Sequence, residues 1–353
     1  MITIKKILAP AVLSLALAIG FTGMKAEAAP SVTRIDGGSG GRIQTADNLA
    51  KTQFTSSQNV ILVYGYNYAD AVSATPLAKQ LDAPILITKG DELESEVADT
   101  IKSLGAKKVY IVGGSGVVSD NVENKLKGSG YDVERIAGYT DADGNVDTTR
   151  TGTNAAVAKK VFSMSGQKTA MLVYGYNYPD ALSVAALAAQ KGYPVLFADT
   201  TGVSDSVKEI AKNFNKIYAV GGDAVLPSSV VKSVNATKIT GNTKDRYDTN
   251  TSVLEYFRKN YSLDFSKVYV ATGGRNDLEF ADALVASAAA AKENSPLLLS
   301  GYKADDATLR ARNYLLGVEK SPSIVIVGGS GAVSNEAEEC FRDEDPFEVI
   351  GVE

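Results

Sequence analysis

The sequence predicts an α/β fold of three tandem modules, each with a parallel sheet and helices on both of its faces. Two observations predict it. The aromatic segment at 64–73 recurs at 174–183 and, more loosely, at 274–284. A repeat of roughly a hundred residues is the size of a small domain rather than of a solenoid unit. Apolar strands also alternate with helical segments through short loops, which is typical of parallel sheets with right-handed crossovers.

The first module shows the elements in chain order. A short strand at 32–35 precedes a helical segment at 46–50, and a nearly all-apolar strand at 59–63 leads into the repeated segment. Continuous apolar runs are typical of strands that are covered on both faces. The later elements are a helix at 71–81, a strand at 84–87, a helix at 94–104, a strand at 108–112, and a glycine turn at 113–116 into a helix capped by Ser119.

The same order recurs twice more. The corresponding strands lie at 170–173, 194–197 and 216–220, and then at 268–271, 296–299 and 324–327. A basic-Ile-x-Gly strand precedes the modules at 34–37, 135–138 and 238–241, and a weaker copy lies at 348–351. Each copy is expected to end one module as much as it begins the next. We place the repeats at 29–130, 131–233 and 234–353, packed against one another because no Pro- or Ser-rich linker separates them.

Residues 1–28 have the pattern of a signal peptide. Lys5 and Lys6 precede an apolar run at 7–19, and the small residues Ala26 and Ala28 suit signal peptidase. Cleavage after Ala28 predicts an exported protein. No later apolar run is long enough for a membrane span, so we expect a secreted protein at the cell wall or cell surface.

The composition excludes several kinds of site. The 353 residues include no histidine and one cysteine, Cys340, which cannot form an internal disulfide. A Ser-His-Asp or Cys-His nucleophile system and a zinc site with imidazole ligands are therefore ruled out, and we expect no catalytic residue, metal or cofactor. The formal net charge is -5, which disfavours nucleic acid as a partner and requires a local basic cluster for any anionic ligand.

Two interpretations of the repeated segment stay open. Asp70, Asp180 and Asp282 follow a strand and begin a helix, so they either cap that helix, with the tyrosines packed between modules, or lie in a ligand cleft. In the second interpretation, four tyrosines stack on sugar rings or line the cleft: Tyr66, Tyr68, Tyr176 and Tyr178. The glycine pairs lack nucleotide-loop spacing and predict tight strand-to-helix turns, whose free amides could still hold an anion.

Arginine supplies the best ligand candidates. An Arg-x-x-Thr pattern occurs once per module, with Arg42 and Thr45, Arg150 and Thr153, and Arg246 and Thr249. A guanidinium fits carboxylate or phosphate oxygens through two bonds, so each arginine either pairs with the Asp of the repeated segment or contacts an anionic ligand. The further basic candidates are Arg34, Arg135, Lys238 and Arg275.

With these motifs in one order three times over, the sequence resembles the cell-wall-binding repeat type 2 family. This is the threefold module of surface-layer and cell-wall proteins in clostridia and related Gram-positive bacteria. Its further marks here are the strand at 84–88 and the turn at 112–119, and the resemblance covers essentially all of the mature chain. It implies three α/β modules in a pseudo-threefold trimer that binds an anionic wall polysaccharide non-covalently in the crevices between modules.

The third copy departs from the pattern. Glu279 and Phe280 stand where the first two copies have Asn and Tyr, and Asp223 replaces Ser in the second turn, so the crevices are not expected to be equivalent. We expect a non-catalytic protein attached to wall polysaccharide, with surface-layer proteins as further partners. The alternatives are a peptidoglycan hydrolase of the two-carboxylate glycosidase type and a self-assembling surface-coat subunit.

Overall fold

The computed structural model describes residues 29–276 and 278–342, and the structural statements below refer to these residues. The predicted signal peptide at 1–28 and the weaker basic-Ile-x-Gly copy at 348–351 lie outside them. Within these residues, no helix is both long and apolar enough to cross a membrane.

Strands and helices alternate along the described chain. The strands are β1 (Ser31–Ile35), β2 (Asn59–Tyr64), β3 (Ile85–Thr88), β4 (Lys108–Val112), β5 (Asp132–Ile136), β6 (Tyr139–Thr140), β7 (Val146–Asp147), β8 (Thr169–Tyr174), β9 (Val195–Ala198), β10 (Lys216–Val220), β11 (Thr237–Lys238), β12 (Lys267–Thr272), β13 (Leu297–Ser300) and β14 (Ser323–Val327). The helices are α1 (Gly41–Gln53), α2 (Tyr68–Ala71), α3 (Ala74–Leu81), α4 (Ser95–Ser103), α5 (Asp120–Gly128), α6 (Arg150–Ser165), α7 (Pro179–Lys191), α8 (Asp205–Ala211), α9 (Ser228–Ser233), α10 (Arg246–Tyr261), α11 (Ala281–Lys292), α12 (Asp306–Val318) and α13 (Asn335–Arg342).

Three four-stranded parallel sheets organise the molecule, which confirms the predicted fold class. Their strand orders are β3-β2-β4-β5, β9-β8-β10-β11 and β13-β12-β14-β1, and we call the corresponding parts of the chain modules 1, 2 and 3. The central strands are fully buried, as in β2, where the side chains of residues 60–63 have no exposed surface. Burial on both faces explains why these strands are continuous apolar runs rather than alternating ones.

The first described strand completes the last sheet. β1 pairs in parallel with β14, with Ser31 opposite Ser323 and Ile35 opposite Val327. In the same way β5 pairs with β4 and β11 pairs with β10, so the basic-Ile-x-Gly strands form the fourth strand of a sheet in all three modules. The two ends of the described chain are thereby joined, while the residue limits of the repeats stay a prediction.

The helices that follow the repeated segments pack on one another. α3, α7 and α11 contact each other in pairs, and many of their buried residues are alanines, whose small side chains let helices approach closely. The hydroxyls of Thr75 and Ser287 meet across this contact at 2.7 Å. One aromatic ring from each module joins them: Tyr68, Tyr178 and Phe280 lie with centroids 5.7–6.1 Å apart.

Two local features differ from the prediction. The single helix expected at 71–81 is divided into α2 and α3, because Pro76 lacks the amide hydrogen that would continue the first helical turn. The hairpin of β6 and β7 was not predicted. Its turn is held by the Asp141 carboxylate, which accepts hydrogen bonds from the backbone amides of Asp143 and Asn145.

Helices α6 and α10 are tied to the edge strand of their sheet by an asparagine. Asn154 donates to Val195 O at 2.9 Å and accepts from Phe197 N, and Asn250 makes the same pair of bonds to residues 297 and 299. The corresponding position in α1 is Ala46, followed by Asp47. The Asp47 carboxyl is fully buried, and none of the described residues is within hydrogen-bonding geometry of its oxygens. Burial raises its pKa to about 7 and outweighs Lys51 and the Thr100 hydroxyl, which lower it.

Candidate functional site

The repeated segment of each module faces the first helix of the next module. We call these contacts junctions 1, 2 and 3. Asp70 of module 1 lies near Arg150 of module 2 in junction 1, and Asp180 lies near Arg246 in junction 2. In junction 3, Asp282 of module 3 lies near Arg42 of module 1. The three junctions are thus built on one plan at the carboxyl ends of the strands, where ligands bind in open α/β sheets.

The three carboxyls lie against the glycine turns that follow the third strand of each sheet. At Gly221, with φ +140°, an added Cβ atom would lie 2.7 Å from Asp180 Oδ2, and Gly113 and Gly328 are placed in the same way against Asp70 and Asp282. Only glycine permits this approach, which explains the glycine pairs as structural turns. Burial is the main cause that raises the pKa of all three carboxyls, to about 6 for Asp180 and Asp282.

The ion pair predicted as one alternative, between each junction arginine and the Asp of the repeated segment, does not form at salt-bridge distance among the described residues. Among the described residues, none of the three junction arginines lies within 4.0 Å of a carboxylate oxygen in a salt bridge. Each guanidinium instead points at the carbonyl of the glycine that follows the first central strand of its own module, which is Gly65, Gly175 or Gly273. The junctions therefore hold a positive charge that the neighbouring Asp moderates without neutralising it at close range.

The strength of this anchoring differs among the junctions. Arg246 Nη1 donates to Gly273 O at 2.7 Å, Gly274 O at 2.9 Å and the Tyr178 hydroxyl at 3.0 Å. Arg42 Nη1 donates to Gly65 O at 2.7 Å. The contacts of Arg150 are longest, 3.4 Å to the Tyr68 hydroxyl and 3.5 Å to Gly175 O. Arg150 is consequently the least firmly anchored of the three guanidinium groups.

Two of the four predicted stacking tyrosines present a ring to solvent. Tyr66 and Tyr176 are 37% and 42% exposed, and the Arg42 and Arg150 guanidinium carbons lie 4.7 Å above their respective ring centroids. Tyr178 is fully buried and donates to Asn276 O, so it packs between modules and cannot stack on a sugar from solvent. Tyr68 is half-buried in the same aromatic cluster.

Junctions 1 and 3 contain cavities of unequal size. The junction 1 cavity measures about 310 Å³ and combines Asp70, Arg150 and hydroxyl and amide side chains with the glycine turn; its lining is Tyr64, Asn67, Asp70, Gly114, Gly116, Val117, Thr148, Arg150 and Thr153. The junction 3 cavity measures about 180 Å³ and contains Arg42, Glu279 and Asp282. Thr148 and Asn67 also line the junction 1 cavity and were not among the predicted site residues. Asn67 lies within the repeated segment and Thr148 lies two residues before Arg150, and these positions are the sequence signal that could have found them.

The predicted threonines are buried and mainly structural. The Thr45 and Thr249 hydroxyls donate to backbone carbonyls one turn earlier, Gly41 O and Asp245 O. The Thr153 hydroxyl accepts from Gly138 N at 3.3 Å and also lowers the pKa of Asp70, although burial outweighs it. Of the three predicted threonines, Thr153 lines the junction 1 cavity.

The basic residues of the basic-Ile-x-Gly strands are engaged within the fold. Arg34 pairs with Glu338 at 2.6 Å and donates to Gly328 O, and Arg135 pairs with Glu123 and donates to Gly113 O. Lys238 pairs with Asp223, the residue that replaces Ser in the second turn. These side chains brace the glycine turns, and their carboxylate partners leave them little charge for a ligand.

Arg275 lies over the glycine turn of module 3. It forms a salt bridge with Glu279 at 2.7 Å and donates to Gly331 O at 3.2 Å, and its guanidinium carbon is 4.0 Å from the centroid of the Tyr302 ring. Glu279 thus supplies the counter-charge and hydrogen-bond acceptors of Arg275 at the rim of junction 3. The repeated segment is also longer here, since nine positions separate Gly273 from Asp282 and five separate Gly65 from Asp70.

Comparisons with known proteins agree with this architecture. The family model for cell wall binding domain 2 (CWB2) matches residues 34–123, 147–231 and 239–338. Two Bacillus subtilis (strain 168) proteins are similar in sequence: N-acetylmuramoyl-L-alanine amidase LytC, 30% identical over 92% of this chain and 60% of its own, and the amidase enhancer, 28% identical over 86% and 39%. The chain therefore spans less than two thirds of the length of these relatives.

Two solved structures from Clostridium difficile are similar in fold. Cwp8 has a TM-score of 0.75 and 28% identity, with 89% of this chain and 51% of Cwp8 covered. Cwp6 has a TM-score of 0.73 and 24% identity, with 91% of this chain and 50% of Cwp6 covered, so it supports the fold alone.

Proposed function

Because the chain belongs to the cell wall binding domain 2 family, we propose that it is an exported, non-catalytic protein that attaches non-covalently to an anionic cell-wall polysaccharide. Junction 1 is the main binding site in this proposal. The attachment holds the protein at the cell surface, where surface-layer proteins are candidate partners.

One observation carries the proposal: Arg150 is positively charged, half-buried and only weakly anchored at the mouth of a cavity. Among the residues that the structure describes, its guanidinium makes hydrogen bonds of 3.4 and 3.5 Å and forms no salt bridge with a carboxylate. It is also the first residue of α6, where the helix dipole adds positive potential. An anionic group entering the cavity would gain a charge-assisted bond without first breaking a strong one.

The rest of junction 1 suits a sugar polymer. Tyr176 offers an exposed ring beside Arg150, and Thr148 and Asn67 offer hydroxyl and amide groups. Sugars are held by such a combination of ring stacking and hydrogen bonding, while the arginine would select an acidic group.

Catalysis is not needed to explain this geometry. The junction 1 lining includes one carboxyl, Asp70, whereas a two-carboxylate glycosidase requires a second one about 5–9.5 Å away. The sequence also lacks the histidines that a zinc amidase uses as ligands, so the activity named for the amidase relative is not proposed for this chain.

The proposal is tested by retention on isolated Gram-positive walls with and without their anionic polymer. We expect retention on intact walls, loss on stripped walls, and weaker retention at high salt, since screening acts over about 10 Å at 0.1 M. Equal retention on stripped walls would contradict the assignment of the anionic polymer as the ligand. Release of soluble fragments from labelled walls, abolished in Asp70→Asn, would replace binding with hydrolysis.

A further inference from the structure

Two lysine-lined grooves lie outside the junctions. The first, about 520 Å³, is in module 1 and contains Lys102, Lys107 and Lys125. The second, about 430 Å³, is in module 2 and contains Lys208, Lys212 and Lys216. Their positions correspond, because each groove lies between the helix before the third strand of its sheet and the turn before the fourth.

The grooves and the junctions lie at opposite ends of the sheets. The first groove is lined by residues that directly precede β4 and β5, and the second by residues that directly precede β10 and β11. The junctions lie where parallel strands end. A strand of five residues at about 3.3 Å per residue separates the two ends by roughly 17 Å, so one short ligand cannot fill both.

The positive charge of the grooves is largely uncompensated. Lys102, Lys107 and Lys212 are exposed and form no salt bridge with any residue that the structure describes. Lys208 pairs with Asp205 on the same helix, an exposed pair of the kind that contributes little. One carboxylate, Asp99, lines the first groove and none lines the second.

Such clustering is unexpected in a chain with a formal net charge of -5. Like charges repel, so an anionic group that enters either groove would relieve the repulsion among its three ammonium groups. Amide and hydroxyl groups accompany the lysines, with Asn215, Ser233 and Asn235 in the second groove and Ser129 in the first.

We propose that the two grooves bind a linear polyanion with phosphate or carboxylate groups, separately from the junctions, so that one molecule holds two polymer chains. The proposal rests on the proposed function for the chain held at junction 1, and adds a second chain at the opposite ends of the sheets. The protein would then crosslink wall polymers as well as attach to them.

The test is clumping of wall fragments by the full chain. A molecule with two binding surfaces crosslinks fragments, whereas one with a single surface is retained without clumping them. The variant replaces the six groove lysines with Gln, at Lys102, Lys107, Lys125, Lys208, Lys212 and Lys216. A control with the same change in charge replaces six exposed lysines outside the grooves, Lys51, Lys127, Lys159, Lys259, Lys303 and Lys320.

We expect the wild type and the control to clump the wall fragments. The groove variant should be retained on the fragments to within about twofold of the wild type, without clumping them. Clumping by the groove variant at the wild-type level contradicts the proposal, as does retention of the wild type without clumping. Melting temperatures of all three proteins confirm that they are folded.

A second measurement separates this inference from the proposed function. Binding of inorganic polyphosphate is measured with Arg150→Gln alone and with Arg150→Gln combined with the six groove substitutions. We expect polyphosphate to bind the first and to bind the second roughly tenfold more weakly. Equal binding by both overturns the groove proposal, whereas a failure of wall retention with polyphosphate binding intact overturns only the proposed function.

Discussion

Junctions 1 and 2 contain the same residue types and hold them differently. In junction 2, Arg246 donates to three acceptors within 3.0 Å, and the Tyr178 hydroxyl bonds to Asn276 O across the modules. In junction 1, Arg150 has two longer contacts, and a cavity of about 310 Å³ remains beside it. The longer segment of module 3 accounts for the difference, because Gly274 and Asn276 belong to it. A repeated arginine is therefore held firmly in junction 2, which we call the closed junction, and loosely beside a cavity in junction 1.

The first prediction concerns the pH dependence of the free energy of unfolding, and the carboxyl responsible for it lies outside the junctions. Burial raises the pKa of Asp47 from 3.8 to about 7. An unfolded chain ionises this carboxyl at lower pH than the folded one does, so its contribution to stability is complete below pH 4 and lost as the pH rises to about 7. Asp47→Asn should be about 2–4 kcal/mol more stable than the wild type at pH 8, at 1.36 kcal/mol per pKa unit, and similar to it at pH 4.

Denaturant unfolding across this pH range measures the effect. Glu92→Gln, at an exposed side chain that forms no salt bridge with any described residue, is a control for the loss of one negative charge. An unchanged pH dependence in Asp47→Asn would contradict the burial of this carboxyl.

The second prediction concerns the closed junction. Arg246→Gln leaves the carbonyls of Gly273 and Gly274 and the Tyr178 hydroxyl short of a donor, and should lower the free energy of unfolding by about 2 kcal/mol. Arg150→Gln, which removes only long contacts, should cost less than about 0.5 kcal/mol. Equal costs for the two substitutions would remove the structural distinction between the junctions.

The third prediction compares matched tyrosine hydroxyls. Tyr178→Phe removes the bond to Asn276 O and one acceptor of Arg246, and should cost about 1–1.5 kcal/mol. Tyr176→Phe removes an exposed hydroxyl for which the described residues supply no hydrogen-bond partner, and should cost less than about 0.5 kcal/mol. Thermal unfolding of both variants checks the order, and a larger cost for Tyr176→Phe would reverse our assignment of the closed junction.

The smallest expected effect is a pH dependence of binding. Because the pKa of Asp70 is raised, lowering the pH protonates it while Arg150 stays charged, so the junction becomes more positive. Retention on walls should rise by at most about threefold as the pH is lowered from 7 and Asp70 becomes protonated, and Asp70→Asn should show no such rise. A rise of the same size in Asp70→Asn would assign the dependence to the polymer instead.

Much of the fold could be predicted from the sequence because buried parallel strands are apolar runs and the order of motifs repeats three times. The pairing of β1 with β14 joins residues almost 300 positions apart, and only the extra basic-Ile-x-Gly copy pointed to it. The turn of the β6–β7 hairpin contains Asp, Gly and Asn, which are typical turn residues, but the pattern that repeats three times does not include this segment.

The site was harder to predict. The Arg-x-x-Thr pattern singled out arginines that lie in the junctions, yet it could not distinguish Arg150 from Arg246. Their difference depends on carbonyls supplied by a distant segment, and the same holds for Arg34, whose partner Glu338 lies at the other end of the chain. The burial of Asp47 could not be predicted either, because a single acidic residue in a helix is ordinarily on its exposed face.

The most direct test of the account is retention of Arg150→Gln and Arg246→Gln, side by side, on walls that carry their anionic polymer, at a temperature where both variants are folded. We predict that Arg150→Gln is retained about tenfold more weakly than the wild type and Arg246→Gln within about twofold of it. Equal loss in both variants, or loss in Arg246→Gln alone, would contradict the assignment of junction 1 as the binding site.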